Sequence, residues 1–317
     1  MKFTKMHGIG NDYVYFDTFD GEIDNKVELV KFVSDRHFGI GGDGAIFINP
    51  STEADCEMEM YNADGSRSEM CGNGIRCVGK YLYDNGLTDK TEISVISAGK
   101  IKYLSMTAIK EEKNPLTGLT YGKRADGTVI DTVRVDMGEA ILKAEEIPVD
   151  KNKTGVIKSD KSAGNTVNTA LLGIIEEKDA CIRQPIDVGG EIFEMTCVSM
   201  GNPHAVFYVD NVDDYPVSVN GPVIENHKAF PNRVNAEFVK VLDRKNIQMR
   251  VWERGTGETF ACGTGACAVA VASILNGYTD DEVTIHLLGG DLKIRWDKDN
   301  NHVFMTGSAT TVCTGDI

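Results

Sequence analysis

A chain that matches itself over a long stretch without a gap folds as two similar halves, because each half buries the same pattern of side chains. A shift of 191 residues lays Cys71 on Cys262, Gly10 and Asn11 on Gly201 and Asn202, and Phe16 on Phe207. It also places Ala45, Phe47 and Met58 on Ala236, Phe238 and Met249, and Gly72, Gly74 and Val78 on Gly263, Gly265 and Val269. Asn85, Gly86, Thr88 and Asp89 meet Asn276, Gly277, Thr279 and Asp280, while Gly99 and Lys102 meet Gly290 and Lys293. These are 16 identities over residues 10–102, against roughly six expected for average composition. They concentrate at apolar, Gly and Cys positions, where a shared fold and shared chemistry would leave them.

The repeat predicts similar halves over residues 1 to about 105 and 192 to about 296. The N-terminal domain is expected over 1–131, completed by a C-terminal strand at 303–317, and the second over 132–302 with an insertion near 151–190. Residues 110–131 are polar and Gly-rich and read as a long hairpin or surface loop. Residues 151–190 mix charge clusters with short apolar runs such as 170–175. Within each half the β-branched and aromatic runs at 13–16, 45–48, 205–209, 236–241, 249–252 and 292–296 read as strands. A helix is predicted over 26–35. A clearer pair starts just after Cys71 and Cys262 and ends at Asn85-Gly86 and Asn276-Gly277, which are C-cap signals. The first carries Ile75, Val78, Tyr81 and Leu82 on one face; the second, 266–275, is apolar all round and is expected to be buried. The fold class that follows is α/β of the α+β kind: two pseudo-symmetric domains, each a curled, mainly antiparallel sheet or barrel around one central helix.

Composition narrows the functions. The chain has 317 residues, enough for two domains, and 41% apolar against 26% charged residues describe a folded protein. A formal charge of -15 argues against nucleic acid as a partner, because a phosphate backbone needs clustered Lys and Arg. No run of about 18 apolar residues is present, so no transmembrane helix is expected. The opening MKFTKMHGIGND reaches His7 and Asp12 before an apolar signal region could form, so no secretory signal is expected. The eight cysteines include no C-x-x-C pair, which points to free thiols in the cytoplasm and no metal site.

Two of those thiols stand apart. Cys71 and Cys262 each precede Gly-x-Gly at a helix start. Glycines there let a ligand approach the backbone, and the first N–H groups of a helix favour an anion. A cysteine at such a position tends towards the thiolate. Three readings are open: buried structural thiols, a redox dithiol, and a two-base site. The two-base site is preferred because two such turns stand in register, one per half. A thiolate removes a proton from a carbon beside a carboxylate, a thiol on the opposite face returns one, and two helix N-termini stabilise the charge that develops. No motif for a pyridoxal cofactor is evident, and none is expected.

At this level of detail the chain resembles the diaminopimelate epimerases throughout. The resemblance rests on MHGIGND (6–12), YNADGSRSEMCGNGIRC (61–77), GNPH (201–204), NRVNAEF (232–238) and WERGTGETFACGTGACA (252–268). It implies a cofactor-independent isomerase that interconverts LL- and meso-diaminopimelate, a small diamino diacid, and it implies a homodimer. By that resemblance Cys71 and Cys262 are the acid/base thiols. The N–H groups of Gly72, Asn73, Gly263 and Thr264 hold the reacting carboxylate. Asn11, Asn62, Asn202, Asn235 and Arg254 bind the distal end, Glu253 lies near its ammonium, and His204 and Glu253 support the reacting geometry. Plainer readings exist for several of these. Asn11 and Asn202, beside glycines, also suit turns; Glu253 and Arg254 also suit a solvated pair; His204 also suits a strand end; His7 is read as structural.

Many members of that family have Gln where this chain has Gly44. That departure keeps in view a cofactor-independent racemase of another amino acid on the same scaffold; a second rival, a non-catalytic amino-acid-binding protein, is opposed by the retention of both cysteines.

Overall fold

The structure is a computed structural model. It describes residues 1–68, 71–114, 118–154, 176 and 178–317. The chain forms two compact units, Met1–Asp136 with Thr306–Ile317, and Met137–Met305. The apolar run at 170–175 lies outside the described residues.

The first unit contains β1 (Lys2–Gly8), β2 (Asn11–Asp17), α1 (Lys26–Ser34), β3 (Gly44–Asn49), β4 (Cys56–Asn62), β5 (Arg67–Ser68), α2 (Gly72–Asp84), β6 (Glu92–Ser97), β7 (Lys100–Lys110) and β8 (Thr128–Glu139), which runs into the second unit. The second contains β9 (Gln184–Val188), β10 (Glu191–Ser199), β11 (Pro203–Tyr208), α3 (Val217–Glu225), β12 (Asn235–Asp243), β13 (Asn246–Glu253), β14 (Gly257–Thr259), α4 (Gly263–Leu275), β15 (Glu282–Leu287) and β16 (Gly290–Asp297). β17 (His302–Ser308) returns to the first unit, where β18 (Thr310–Asp316) lies antiparallel on β1.

Strand pairing repeats as the sequence does. β2 lies parallel to β3 with Tyr13 opposite Gly44, and β11 lies parallel to β12 with His204 opposite Asn235. β3 and β12 then turn antiparallel onto β4 and β13. Phe16 stacks on Phe47 at 5.5 Å between ring centres, and Phe207 on Phe238 at 5.7 Å. Each sheet therefore mixes parallel and antiparallel neighbours. β7 and β8 pair antiparallel up to Lys110 opposite Thr128, so the described residues 111–114 and 118–127 lie between the two strands of a hairpin. In its described part the 151–190 segment holds a 3-10 turn at Lys151–Lys153 and β9, laid antiparallel on β10.

α2 packs on β1, β2 and β7, and α4 on β10, β11, β12, β15 and β16. The small side chains of α4, alternating Ala and Val, let its strands approach from all sides, and of its thirteen residues only Thr264 is not buried. α2 is buried on every side too, although its sequence reads as one-faced. Its charges are satisfied internally: Lys80 pairs with Asp84 at 2.7 Å and donates to the Ile130 carbonyl at 2.5 Å. Asp84 accepts the Ile130 N–H at 2.8 Å, and Arg76 donates to the carbonyls of Ser308 and Gly72, each at 3.1 Å. Among the described residues no helix is long and apolar enough to cross a membrane.

Outside the helices, the most committed buried charge in the first unit is Glu59. It accepts from Lys26 at 2.5 Å, Tyr61 at 2.7 Å and Asn49 at 3.0 Å. Burial alone would raise its carboxyl, but these three donors outweigh it and hold it down at about 2. A lowered folded-state value contributes stability above the ordinary carboxyl range, and that stability is lost as pH falls from about 4.5 towards 2. Glu59→Gln is therefore expected to cost about 1–3 kcal/mol at pH 7. Urea unfolding at pH 7 and pH 3 should show the gap to the wild type narrowing in acid; a gap independent of pH would contradict the assignment.

Candidate active site

In the first unit Cys71 is the N-cap of α2. Its backbone is extended, with φ -125° and ψ 111°, and its Sγ accepts the Gly74 N–H at 3.3 Å. The same sulfur donates to Asn11 Oδ1 at 3.1 Å, an oxygen that also receives Asn73 Nδ2 at 3.4 Å. Asn11 is fixed from behind, its Nδ2 donating to Asp43 at 2.7 Å while Arg36 grips Asp43 at 2.8 Å. The Tyr13 hydroxyl sits beside Asn11 and Cys71; burial, then the Cys71 charge, push that phenol well up, so it stays neutral. Gly74 packs closely, since a Cβ there would lie 2.7 Å from Ile46 Cδ1. Asn62 ends β4 and donates to Ser66 at 3.0 Å. His7 accepts the Gly10 N–H at 3.2 Å.

The second unit builds the same station with different side chains. Cys262 is the N-cap of α4, with φ -118° and ψ 108°, and its Sγ accepts the Gly265 N–H at 3.4 Å. Thr264 Oγ1 lies 3.6 Å from that sulfur and receives Asn202 Nδ2 at 3.3 Å. Asn202 Oδ1 contacts His204 Nε2 at 3.1 Å, and His204 Nδ1 lies 2.6 Å from Glu237 Oε1. His204 is the second residue of its strand, near the end as a strand-end histidine would be, yet it is fully buried. Asn235 is also buried; its amide donates to the Pro203 carbonyl at 2.9 Å and accepts the Arg254 N–H at 2.8 Å. It thereby ties the start of β11 to the turn that carries Arg254. Glu253 accepts the Thr259 hydroxyl.

Glu253 and Arg254 do not form the solvated pair that their adjacency allowed. Among the described residues Arg254 makes no ion pair, its guanidinium donating instead to the Asn232 carbonyl at 2.9 Å. Neighbouring arginines are held by carboxylates, Arg233 by Glu225 at 2.8 Å and Arg250 by Glu258 at 2.7 Å. Burial pushes the Cys262 thiol well up, and Glu253 and Glu237 push it the same way; Thr264 and the Gly265 N–H oppose them. The N–H groups of Gly72, Asn73, Gly263 and Thr264 lead their helices, where the helix dipole is positive and a carboxylate is favoured.

Tyr13 and Glu237, like Arg36 and Asp43 behind Asn11, escaped the sequence reading. Tyr13 and Glu237 were visible only as members of strands, although a lone carboxylate among the apolar residues Ala236, Phe238 and Val239 is a signal in itself. Gly44 lies opposite Tyr13 and Asn62, and a Cβ on it would stand 2.0 Å from the Tyr61 carbonyl oxygen. The backbone thus occupies the space that a larger residue's Cβ would need.

A family model described as diaminopimelate epimerase matches residues 3–142 and 196–312. The chain is 50% identical over its whole length to a diaminopimelate epimerase of Acetivibrio thermocellus, covering 98% of that protein. It is 49% identical, again over its whole length, to one of Methanococcus maripaludis, covering 99% of it. Among solved structures it resembles a phenazine biosynthesis protein of the PhzF family from Bacillus anthracis, with a TM-score of 0.64 at 14% identity, covering 100% and 98% of the two chains. It also resembles a hydroxyproline epimerase from Agrobacterium vitis, with a TM-score of 0.57 at 11% identity, covering 99% and 91%. The structural likenesses establish the fold, and the sequence matches establish more: the chain belongs to the diaminopimelate epimerase family.

Proposed function

We propose that this protein interconverts LL- and meso-diaminopimelate without a cofactor, using Cys71 and Cys262 as the acid/base pair. The observation that carries the reading is the matched capping geometry. Two thiols, one per unit, occupy N-caps with nearly equal backbone angles, and each sulfur accepts the N–H three residues on. An N–H donated to sulfur favours the thiolate, the form that can take a proton from carbon. For inversion, one thiolate removes the α-proton and the other thiol returns one to the opposite face. The N–H groups of Gly72, Asn73, Gly263 and Thr264 hold the adjacent carboxylate and stabilise the charge that grows on it.

The far end of the substrate gives the specificity. Arg254 grips the distal carboxylate, Asn11, Asn62, Asn202 and Asn235 shape and line the remainder, and Glu253 faces an ammonium. His204 keeps Asn202 in place. This activity belongs to lysine and peptidoglycan-precursor synthesis, and the protein is proposed to work in the cytoplasm as a homodimer.

Gly44 favours one alternative, a racemase acting on an amino acid with a single head group, because the residue there offers no side-chain contact. The test is chiral analysis after incubating pure protein with LL-diaminopimelate and, separately, with single-headed amino acids. Conversion of LL-diaminopimelate to the meso form is expected, with little on the others. Turnover confined to a single-headed amino acid would favour the racemase, and no turnover of any would favour a binding protein.

A further inference from the structure

Glu237 has no counterpart in the first unit. Under the repeat it falls on Ile46, and the two side chains hold the same place: a Cβ on Gly74 would lie 2.7 Å from Ile46 Cδ1, and one on Gly265 would lie 2.9 Å from Glu237 Oε1. A carboxyl group thus stands where the other unit has a methyl. It is fully buried, between Ala236 and Phe238 on β12. Oε1 lies 2.6 Å from His204 Nδ1, and Oε2 has no hydrogen-bond partner among the described residues.

The protons can be placed by valence. Asn202 Oδ1 only accepts, so His204 Nε2, 3.1 Å away, carries a hydrogen. The short contact at Nδ1 holds a second one. Either His204 is an imidazolium against a carboxylate, or it is a neutral Nε2–H imidazole that accepts at Nδ1 from a carboxylic acid. The ion pair would bury two charges and leave one anionic oxygen without a donor, where a stable buried carboxylate takes two or three. Among the described residues, the titratable groups besides His204 that act on Glu237 are Glu253, Cys262 and Cys197, each of which is neutral or negative. The neutral arrangement avoids both costs.

We propose that Glu237 is carried as a neutral carboxylic acid that donates its proton to His204 Nδ1, and that it is a positioning residue for Cys262. Burial and, more weakly, the Glu253 charge push its carboxyl up, against the opposing pull of His204. The chain of contacts then has one direction. Glu237 donates to His204 Nδ1, His204 Nε2–H to Asn202 Oδ1, and Asn202 Nδ2–H to Thr264 Oγ1. The Thr264 hydroxyl hydrogen is left for Cys262 Sγ. The two thiols meet opposite partners, since Cys71 faces an acceptor on Asn11. A neutral Glu237 also removes one of the two negative charges that oppose a Cys262 thiolate.

The catalytic consequence rests on the two-base reading; the proton position does not, and it is measured without substrate. With six histidines, side-chain 15N spectra of the resting protein are tractable, and His204→Gln assigns the signal. The expected result is an unprotonated Nδ1 and a protonated Nε2, retained in Glu237→Gln, whose amide can donate in place of the acid. Glu237→Gln should keep most of the turnover, while Glu237→Leu should lower kcat about tenfold to a hundredfold with little change in KM. An imidazolium, or a proton on Nδ1 alone, would overturn the proposal. So would a Gln variant as impaired as the Leu variant. If the Leu variant does not fold, the wild-type spectrum and the Gln variant decide.

Discussion

Replacing Cys71 or Cys262 by alanine is expected to abolish epimerisation, because each removes one of the two groups that move the proton. General acid–base groups contribute about 10²- to 10⁴-fold to a rate, and a two-base inversion has no substitute for either. The capping geometry adds a sharper form of the same test. Each sulfur closes the first turn of its helix by accepting the N–H of Gly74 or Gly265. Alanine loses that bond as well, and a lost cap costs about 0.5–2 kcal/mol. Serine is a strong N-cap but its hydroxyl is a far weaker acid than a thiol. Cys71→Ser and Cys262→Ser should therefore unfold near the wild-type midpoint while turning over almost nothing. A serine variant with near-normal turnover would remove that thiol from the mechanism. A serine variant destabilised as much as the alanine variant would show that the sulfur does not cap.

Arg254→Lys is expected to lower kcat/KM for diaminopimelate by roughly 30-fold to several thousand-fold, the equivalent of about 2–5 kcal/mol for a charge pair lost in a closed site. Lysine keeps the charge but not the planar fork that meets a carboxylate with two parallel bonds. Arg254 is suited to this role by what it lacks: among the described residues no protein carboxylate occupies it, while Asn235 pins its backbone N–H and the Asn232 carbonyl steadies its head. The unfolding midpoint should stay nearly constant, since the guanidinium makes one backbone hydrogen bond. Normal epimerisation by Arg254→Lys would place the distal carboxylate elsewhere and strengthen the racemase alternative.

The parts of this protein that were legible in sequence are those where the residue type has one physical use. Asn85-Gly86 and Asn276-Gly277 end helices because the glycines take φ values of 73° and 75°. Gly74 and Gly265 could be read as places of close approach, and a Cβ at either would press on a side-chain end, Ile46 Cδ1 at 2.7 Å or Glu237 Oε1 at 2.9 Å. α3 was not legible: it runs Val217–Glu225 through Asn220-Gly221-Pro222, a string that reads as a turn. It forms because Gly221 lets the helix settle on the Trp252 ring, 2.5 Å from where a Cβ would stand, so packing overrides a weak local preference. The burial of Arg76, Lys80 and Asp84 was hidden for a related reason. Their partners are distant in sequence, Ser308 by 232 residues from Arg76 and Ile130 by 50 from Lys80 and 46 from Asp84, distances no local pattern reports. At the site, the thiols and the Asn pair stood out by repetition. Tyr13 and Glu237 did not, because they are where the two halves differ.

The central claim is that two groups share the inversion, and solvent isotope tests it most directly. Pure protein is given LL-diaminopimelate in deuterated water, and the reaction is stopped early. With one base for each face, the meso product should carry deuterium at the inverted α-carbon while the remaining LL substrate stays largely unlabelled. A single base serving both faces would carry the abstracted protium into the product, or, if it exchanged with solvent first, would label substrate and product alike. Equal labelling of the two pools in the first turnovers would contradict the assignment of Cys71 and Cys262 as separate acid and base.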